Sequence, residues 1–261
     1  MKNVTVVGAG LVGSLLSIYL AKRGYKVNVF ERRGDMRKAK MLAGKSINLA
    51  LSDRGWRGLK GVGIADEIKK IAIPMYGRCI HHVDGSTAFQ PYGKKEQAIY
   101  SVSRASINMK LMDLAEQQPN VTLHFNERCD EVDRKNNCVH FENGETKKMS
   151  ESKYDLLFGS DGAFSAVRLS MQLTSDRFDY KQFYIEAGYK ELNIPVAADG
   201  THKIEKNALH IWPRGNFMMI ALPNIDGSFT CTLFFPFEGE KSFAALEKKR
   251  RGAEIFYGRI P

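Results

Sequence analysis

Val4-Thr5-Val6-Val7-Gly8-Ala9-Gly10-Leu11-Val12-Gly13 is the stretch on which the fold turns. Its first four residues are a short apolar, β-branched run, the composition of a strand buried in a parallel sheet. The next six spell G-x-G-x-x-G. Apolar residues then recur at Leu15, Leu16, Ile18, Tyr19 and Leu20, up to Arg23, and Gly24 stops a helix there. Lys26-Val27-Asn28-Val29-Phe30 reads as a second strand ending on Glu31, 18 residues after Gly13. In such a strand–turn–helix unit Gly8 permits the tight turn and Gly10 lets the backbone approach a pyrophosphate. Gly13 lets helix and strand pack closely. The helix N-terminus, at Leu11 and Val12, offers free N–H groups and a positive dipole end to phosphates. A carboxylate at Glu31 suits ribose hydroxyls and repels a 2′-phosphate, so this unit is expected to take FAD or NAD rather than NADP. Glu31 and the adjoining Arg32 are candidate cofactor-binding residues.

Outward from this unit, 261 residues exceed the common single-domain size of about 100–200, so one large domain or two interleaved ones are expected. With 43% hydrophobic and 26% charged residues the composition is that of an ordinary globular protein. The net charge of +10 would suit nucleic acid. No helix-turn-helix, zinc or aromatic-stacking module accompanies it, so no nucleic-acid partner is expected. An anionic small molecule such as a diphosphate accounts for part of the excess, and solvated surface for the rest. Cys79, Cys129, Cys138 and Cys231 form no C-x-x-C. Metal-ligand spacing is missing, and reduced thiols in a cytoplasmic protein are expected. His81-His82 and the other four histidines show no ligand or catalytic spacing, and none is given a role. The N-terminus reaches its glycine turn too soon for a signal peptide. The apolar stretch Leu15–Ala21 is far shorter than the ~20 residues that span a bilayer. Oligomeric state is left open.

A second nucleotide signal lies at 155–168. Asp155-Leu156-Leu157-Phe158 reads as a strand, Gly159-Ser160-Asp161-Gly162 as a turn, and the residues up to Arg168 as a short helix. The segment resembles the Asp-Gly motif of single-component flavin aromatic hydroxylases. Four further stretches resemble the kynurenine 3-monooxygenase family. They are Lys45-Ser46-Ile47-Asn48-Leu49-Ala50-Leu51-Ser52 with Arg54-Gly55; Pro91-Tyr92-Gly93 with Tyr100-Ser101-Val102-Ser103-Arg104; His210-Ile211-Trp212-Pro213-Arg214 with Phe217-Met218-Met219-Ile220-Ala221-Leu222-Pro223-Asn224; and Phe229-Thr230-Cys231-Thr232-Leu233-Phe234. The resemblance covers residues 1 to about 245. It implies an FAD-dependent monooxygenase, with NADPH and O2 as co-substrates, that hydroxylates L-kynurenine. Two other readings remain open: a non-catalytic FAD-binding fragment, and a different FAD- or NAD-dependent oxidoreductase.

The resemblance also implies site residues. Arg78 and Tyr92 match an arginine and a tyrosine that clamp the substrate carboxylate, and a planar guanidinium suits that task through two parallel hydrogen bonds. Arg104 matches an arginine that contacts FAD. Asp161 and Gly162 take a ribose and diphosphate role, with Arg168 a weaker candidate behind them. Residues 207–237 read as two strands around the turn Asn224–Ser228, with Phe229, Cys231, Leu233 and Phe235 alternating onto one face. Such a sheet either walls an aromatic pocket, with Phe217 as a lining residue, or forms an ordinary sheet core. No catalytic nucleophile is expected, because the cofactor carries the chemistry. The expected architecture is an α/β Rossmann-like FAD domain (1–70 and 98–178) interleaved with a mostly β substrate domain (71–97 and 179–261). The family's second FAD segment is absent from these residues, and Glu247–Pro261 does not follow its pattern, so the chain reads as C-terminally incomplete.

Overall fold

The computed structural model describes residues 1–38, 47–94, 96–175 and 177–248. The chain opens with β1 (Asn3–Val7), α1 (Leu11–Ala21) and β2 (Lys26–Glu31). β3 (Asn48–Leu51), α2 (Asp53–Lys60), α3 (Ala65–Lys69), β4 (Ile73–Met75), β5 (Gly77–His81), β6 (Thr87–Pro91) and β7 (Ile99–Ser103) follow. Then come α4 (Arg104–Glu116), β8 (Val121–Phe125), β9 (Glu127–Asp133), β10 (Cys138–Asn143), β11 (Met149–Lys153), β12 (Leu156–Gly159) and α5 (Ala166–Thr174). The last elements are β13 (Ala187–Ile194), β14 (Ala208–Arg214), β15 (Phe217–Pro223), β16 (Phe229–Pro236) and α6 (Phe243–Lys248). Lys45, Ser46 and the chain end after Lys248, both part of the sequence expectations, lie outside the described residues.

Two compact units divide the chain. The first comprises residues 1–41, 58–64 and 105–182, and the second 42–57, 65–104 and 183–261. Segments 47–57 and 65–70, grouped by sequence with the nucleotide-binding part, fall in the second unit.

The first unit holds a parallel sheet in the order β12-β1-β2-β8 and an antiparallel sheet in the order β11-β10-β9. Its central strands are apolar because both faces are covered: Val4, Val6, Val27 and Val29 are fully buried. Phe30 stacks between His124 and Phe141, with ring centroids 4.5 and 4.0 Å away. Phe141, Val139, Val132 and Val167 complete that core, joining the two sheets through α5. Parallel pairing puts the carboxyl ends of β1, β2 and β12 on one edge, where α/β sheets bind ligands.

The second unit is dominated by a six-stranded sheet ordered β13-β16-β15-β14-β5-β6. β14 runs parallel to β5 and every other pairing is antiparallel. A smaller sheet, β3-β7-β4, accompanies it. Residues 207–237 carry three strands rather than the two expected. The chain reverses at Gly215, whose φ of +71° a residue with a Cβ rarely adopts, and this separates β14 from β15. The expected alternation in β16 is present, and that face is packed core, the second of the two readings the sequence left open. Phe229, Cys231, Leu233 and Phe235 are at most 3% exposed and sit with Trp212, Met219 and Ala221. Among the described residues no helix is long and apolar enough to cross a membrane.

Candidate functional site

β1 delivers the chain into the glycine turn, and backbone hydrogen bonds tie that turn to both flanking strands. Gly8 N–H donates to Phe30 O (2.7 Å), and Ser160 N–H donates to Val7 O (2.8 Å). Gly8 has φ +100°, and a Cβ there would lie 2.6 Å from Ser160 O. The Ser160 hydroxyl reaches both Val7 O (2.9 Å) and Gly8 O (2.8 Å), locking the Asp-Gly turn onto the glycine turn. A Cβ at Gly13 would collide with Gly8 O, so the start of α1 lies directly on the turn.

Gly10 differs from both neighbours. A Cβ there would meet nothing within 4 Å. Gly10 is the N-cap of α1, and no side chain caps the helix. The first N–H groups of a helix have no partner within it, so bare donors border an open space. Leu11 is half-buried and Val12 is 68% exposed at this end.

Two carboxylates flank the turn. Glu31, 5% exposed, accepts Ala9 N–H on Oε2 (3.0 Å). Its Oε1 takes the Arg33 backbone N–H (3.1 Å) and Nε–H (2.9 Å). Arg33 is 72% exposed, so solvent reaches the guanidinium end of the pair while the carboxylate end is buried. Arg32 is exposed beyond the end of β2. Asp161 spends Oδ2 on the first turn of α5, accepting from Ala166 N–H (2.7 Å) and Val167 N–H (3.3 Å). Its Oδ1 is buried and has no partner, which is costly unless a donor arrives. Gly162 turns the chain away at φ +87°. Arg168 donates to Ala163 O and lies 4.5 Å from the Tyr180 ring centroid.

One residue here had no sequence signal. Asn108, on α4 and 8% exposed, donates from Nδ2 to Ala9 O (3.3 Å), while its Oδ1 is buried and unpartnered. The contact spans 99 residues, and an asparagine on a helix face carries no local motif. Arg104 is exposed at the start of α4, and its backbone N–H donates to Ile47 O (3.2 Å).

In the second unit the structure brings Arg78 and Tyr92 together. The Arg78 guanidinium carbon lies 5.4 Å from the Tyr92 ring centroid. Arg78 is exposed on β5, and Tyr92 follows β6, the strand paired with it. Burial raises the Tyr92 phenol above its ordinary value, and a hydrogen bond from Arg78 pulls the other way. The group therefore remains a phenol, able to donate, at neutral pH. Phe217 is not part of this pair. Register places it opposite Arg214, on the face shared by Trp212, His210 and Cys79, whereas Arg78 faces the other way with Leu209. There Phe217 meets Phe235 edge-on at 4.9 Å.

A profile of the FAD binding domain family matches residues 1–233. The chain belongs to that family. FAD is its cofactor, and two observations fit: the open space beside uncapped N–H donors at Gly10 and the orphaned Asp161 acceptor. A Flavobacterium johnsoniae protein named kynurenine 3-monooxygenase is 50% identical over 259 residues, covering 99% of this chain and 57% of that protein. One of the same name from Dictyostelium discoideum is 45% identical, covering 100% of this chain and 55% of that protein. The chain thus spans little more than half the length of these relatives, and the similarity continues past residue 245, where the motifs alone had ended it. Among solved structures, a Klebsiella pneumoniae HpxO variant complexed with FAD superposes with TM-score 0.72 at 15% identity, covering 92% of this chain and 58% of that one. A probable FAD-dependent monooxygenase from Pseudomonas aeruginosa, pqsL, superposes with TM-score 0.69 at 16% identity, covering 97% and 65%. Both show the shared aromatic-hydroxylase type of fold.

Proposed function

We propose that this chain forms the FAD-holding and substrate-clamping part of a monooxygenase that converts L-kynurenine, O2, NADPH and a proton to 3-hydroxykynurenine, water and NADP+. The observation that carries this reading is the 50% identity, along 99% of the chain, to a protein named kynurenine 3-monooxygenase. When bound, FAD would accept hydride from NADPH and activate O2 for transfer to the ring.

The protein's own residues bind and orient. Gly8, Gly10, Leu11, Val12 and Gly13 would present backbone N–H groups to the diphosphate. Glu31 and Arg32 would meet the adenosine end, Asp161 Oδ1 would accept a hydroxyl proton in a hydrogen bond, and Gly162 would let the backbone pass close by. Arg104 is a further candidate contact. Arg78 would grip the kynurenine carboxylate through two parallel N–H donors, with the Tyr92 phenol adding a third. Phe217 would act from the back of the sheet, supporting the strands. Holding the ring in one pose is itself a large catalytic contribution. All four cysteines are free, which supports a reducing compartment, and we place the protein in the cytoplasm.

The test is a spectral titration of the FAD-loaded chain with L-kynurenine, followed by chromatography for 3-hydroxykynurenine after NADPH is added. Kynurenine should perturb the flavin spectrum, while a decarboxylated kynurenine should fail to do so. A chain that binds FAD but responds equally to both ligands would overturn the assignment of Arg78 and Tyr92. A chain that takes up no FAD would overturn the reading as a whole.

A further inference from the structure

We propose that Cys79, His81 and His210 form a binding site for a zinc-class divalent cation on the packed face of the six-stranded sheet. One ligand atom from each of the three lies within 4.8 Å of the others. Strand geometry makes the triangle. Cys79 and His81 are two apart on β5 and so share a face. His210 pairs directly with Cys79 across β14. Neither residue pattern is adjacent in sequence, and 129 residues separate the two histidines.

The hydrogen bonding prepares the donors. His210 Nε2 lies 2.8 Å from Glu205 O. A carbonyl cannot donate, so this nitrogen carries the proton, and the Nδ1 lone pair of His210 faces inward. His81 Nε2 sits 2.8 Å from that Nδ1 and supplies the proton between them. A histidine whose outer N–H is held by a backbone carbonyl is the usual arrangement behind a metal ligand. Trp212 stacks on His81 with centroids 4.1 Å apart, fixing that ring. His210 is 1% exposed and His81 is 9% exposed, while Cys79 is half-buried and provides the route inward.

One thiolate and two imidazoles are the donor set of zinc-class ions. The Glu205 carboxylate acts electrostatically on both Cys79 and His210, so thiolate and carboxylate together balance a doubly charged cation. On binding, the Cys79 thiol releases its proton to solvent, and His81 moves its ring proton from Nε2 to Nδ1. The cation then takes the place of the shared proton. Tetrahedral bonds of about 2.0–2.1 Å to nitrogen require the two rings to part by roughly 0.5 Å. This site is independent of FAD and kynurenine.

Co(II) is the probe. The reduced, tag-free full chain should bind one equivalent and develop a thiolate charge-transfer band that Zn(II) abolishes. Cys79→Ser should remove the band, and His81→Gln should weaken binding by roughly 100-fold or more. Cys138→Ser should leave it unchanged, because Cys138, His140 and Glu151 form the other candidate cluster. X-ray absorption of the Zn(II)-loaded chain should read one sulfur at about 2.3 Å and two imidazole nitrogens, a result that needs no variant to fold. Absence of stoichiometric binding, survival of the band in Cys79→Ser, its loss in Cys138→Ser, or a spectrum without sulfur would each overturn the proposal.

Discussion

The three glycines of G-x-G-x-x-G look equivalent in sequence and are physically different. Gly13→Ala forces a Cβ into Gly8 O, a backbone atom that cannot step aside, so the variant should lose about 1–3 kcal/mol of stability, measured by chemical denaturation. Gly10→Ala meets open space and should change stability by no more than about 0.5 kcal/mol. Its FAD dissociation constant should nevertheless rise about tenfold or more, roughly 1.4 kcal/mol, in a flavin fluorescence titration. Equal effects of the two variants on stability would contradict the cradle. At the substrate pair, Arg78→Lys keeps the charge and loses the planar fork. Kynurenine affinity of the FAD-loaded chain should fall by roughly 10-fold or more, while FAD affinity is unchanged.

At the scale of elements, the interleaving of Phe30, Phe141 and His124 holds β2 against its neighbours. Phe141 is fully buried, so Phe141→Ala should cost about 3–5 kcal/mol. His124 adds a pH dependence with a definite sign. Burial lowers its pKa below the ordinary value, more than Glu127 raises it. The unfolded chain therefore takes up a proton near pH 6.5 while the folded chain stays neutral. Stability should be flat above about pH 7 and decline as pH falls below 6.5, until the folded group also protonates. Denaturation midpoints at pH 7.5 and 5.5 measure this, and His124→Phe should make the decline shallower, leaving the share due to the buried His81 and His210, which are lowered in the same way. The elements were unevenly legible. β1, α1 and β2 could be read because a parallel strand, a glycine turn and an apolar helix are local patterns. The split of β14 from β15 lies at Arg214-Gly215-Asn216, a short polar break between two apolar runs. Asn48 shows the other limit: it donates to Asn224 Oδ1 (2.6 Å) and Pro223 O (3.3 Å) across about 175 residues. The family motifs contain all three residues, but only the fold explains why they occur together.

At the scale of the whole molecule, a net charge of +10 leaves an anionic ligand a favourable field. Affinity for FAD should weaken as salt rises from about 50 to 500 mM, since the Debye length shrinks well below 10 Å. A salt-independent constant would mean that the glycine turn and its local donors carry the binding alone. The boundaries of the two compact units depend on side chains meeting over long separations, which no local pattern in the sequence records. The Arg78–Tyr92 pair was reached through resemblance, and pairing of β5 with β6 supplied its physical reason. Asn108 and the His81–His210 pair escaped, since each joins residues about 100 or more positions apart and no local spacing announces them.

β5 is five residues long and presents different chemistry on each side: Arg78 on one, Cys79 and His81 on the other. A two-sided strand of this kind tolerates no change of phase. Inserting or deleting one residue between Met75 and Gly77 would turn it over, thrusting a cationic guanidinium into the packed interior and leaving the Cys79 thiol and the His81 imidazole in solvent. Drift of this gene should therefore accept point changes along β5 far more readily than single-codon length changes next to it, whereas the turn at residues 82–86, beyond the strand's end, is free to vary in length.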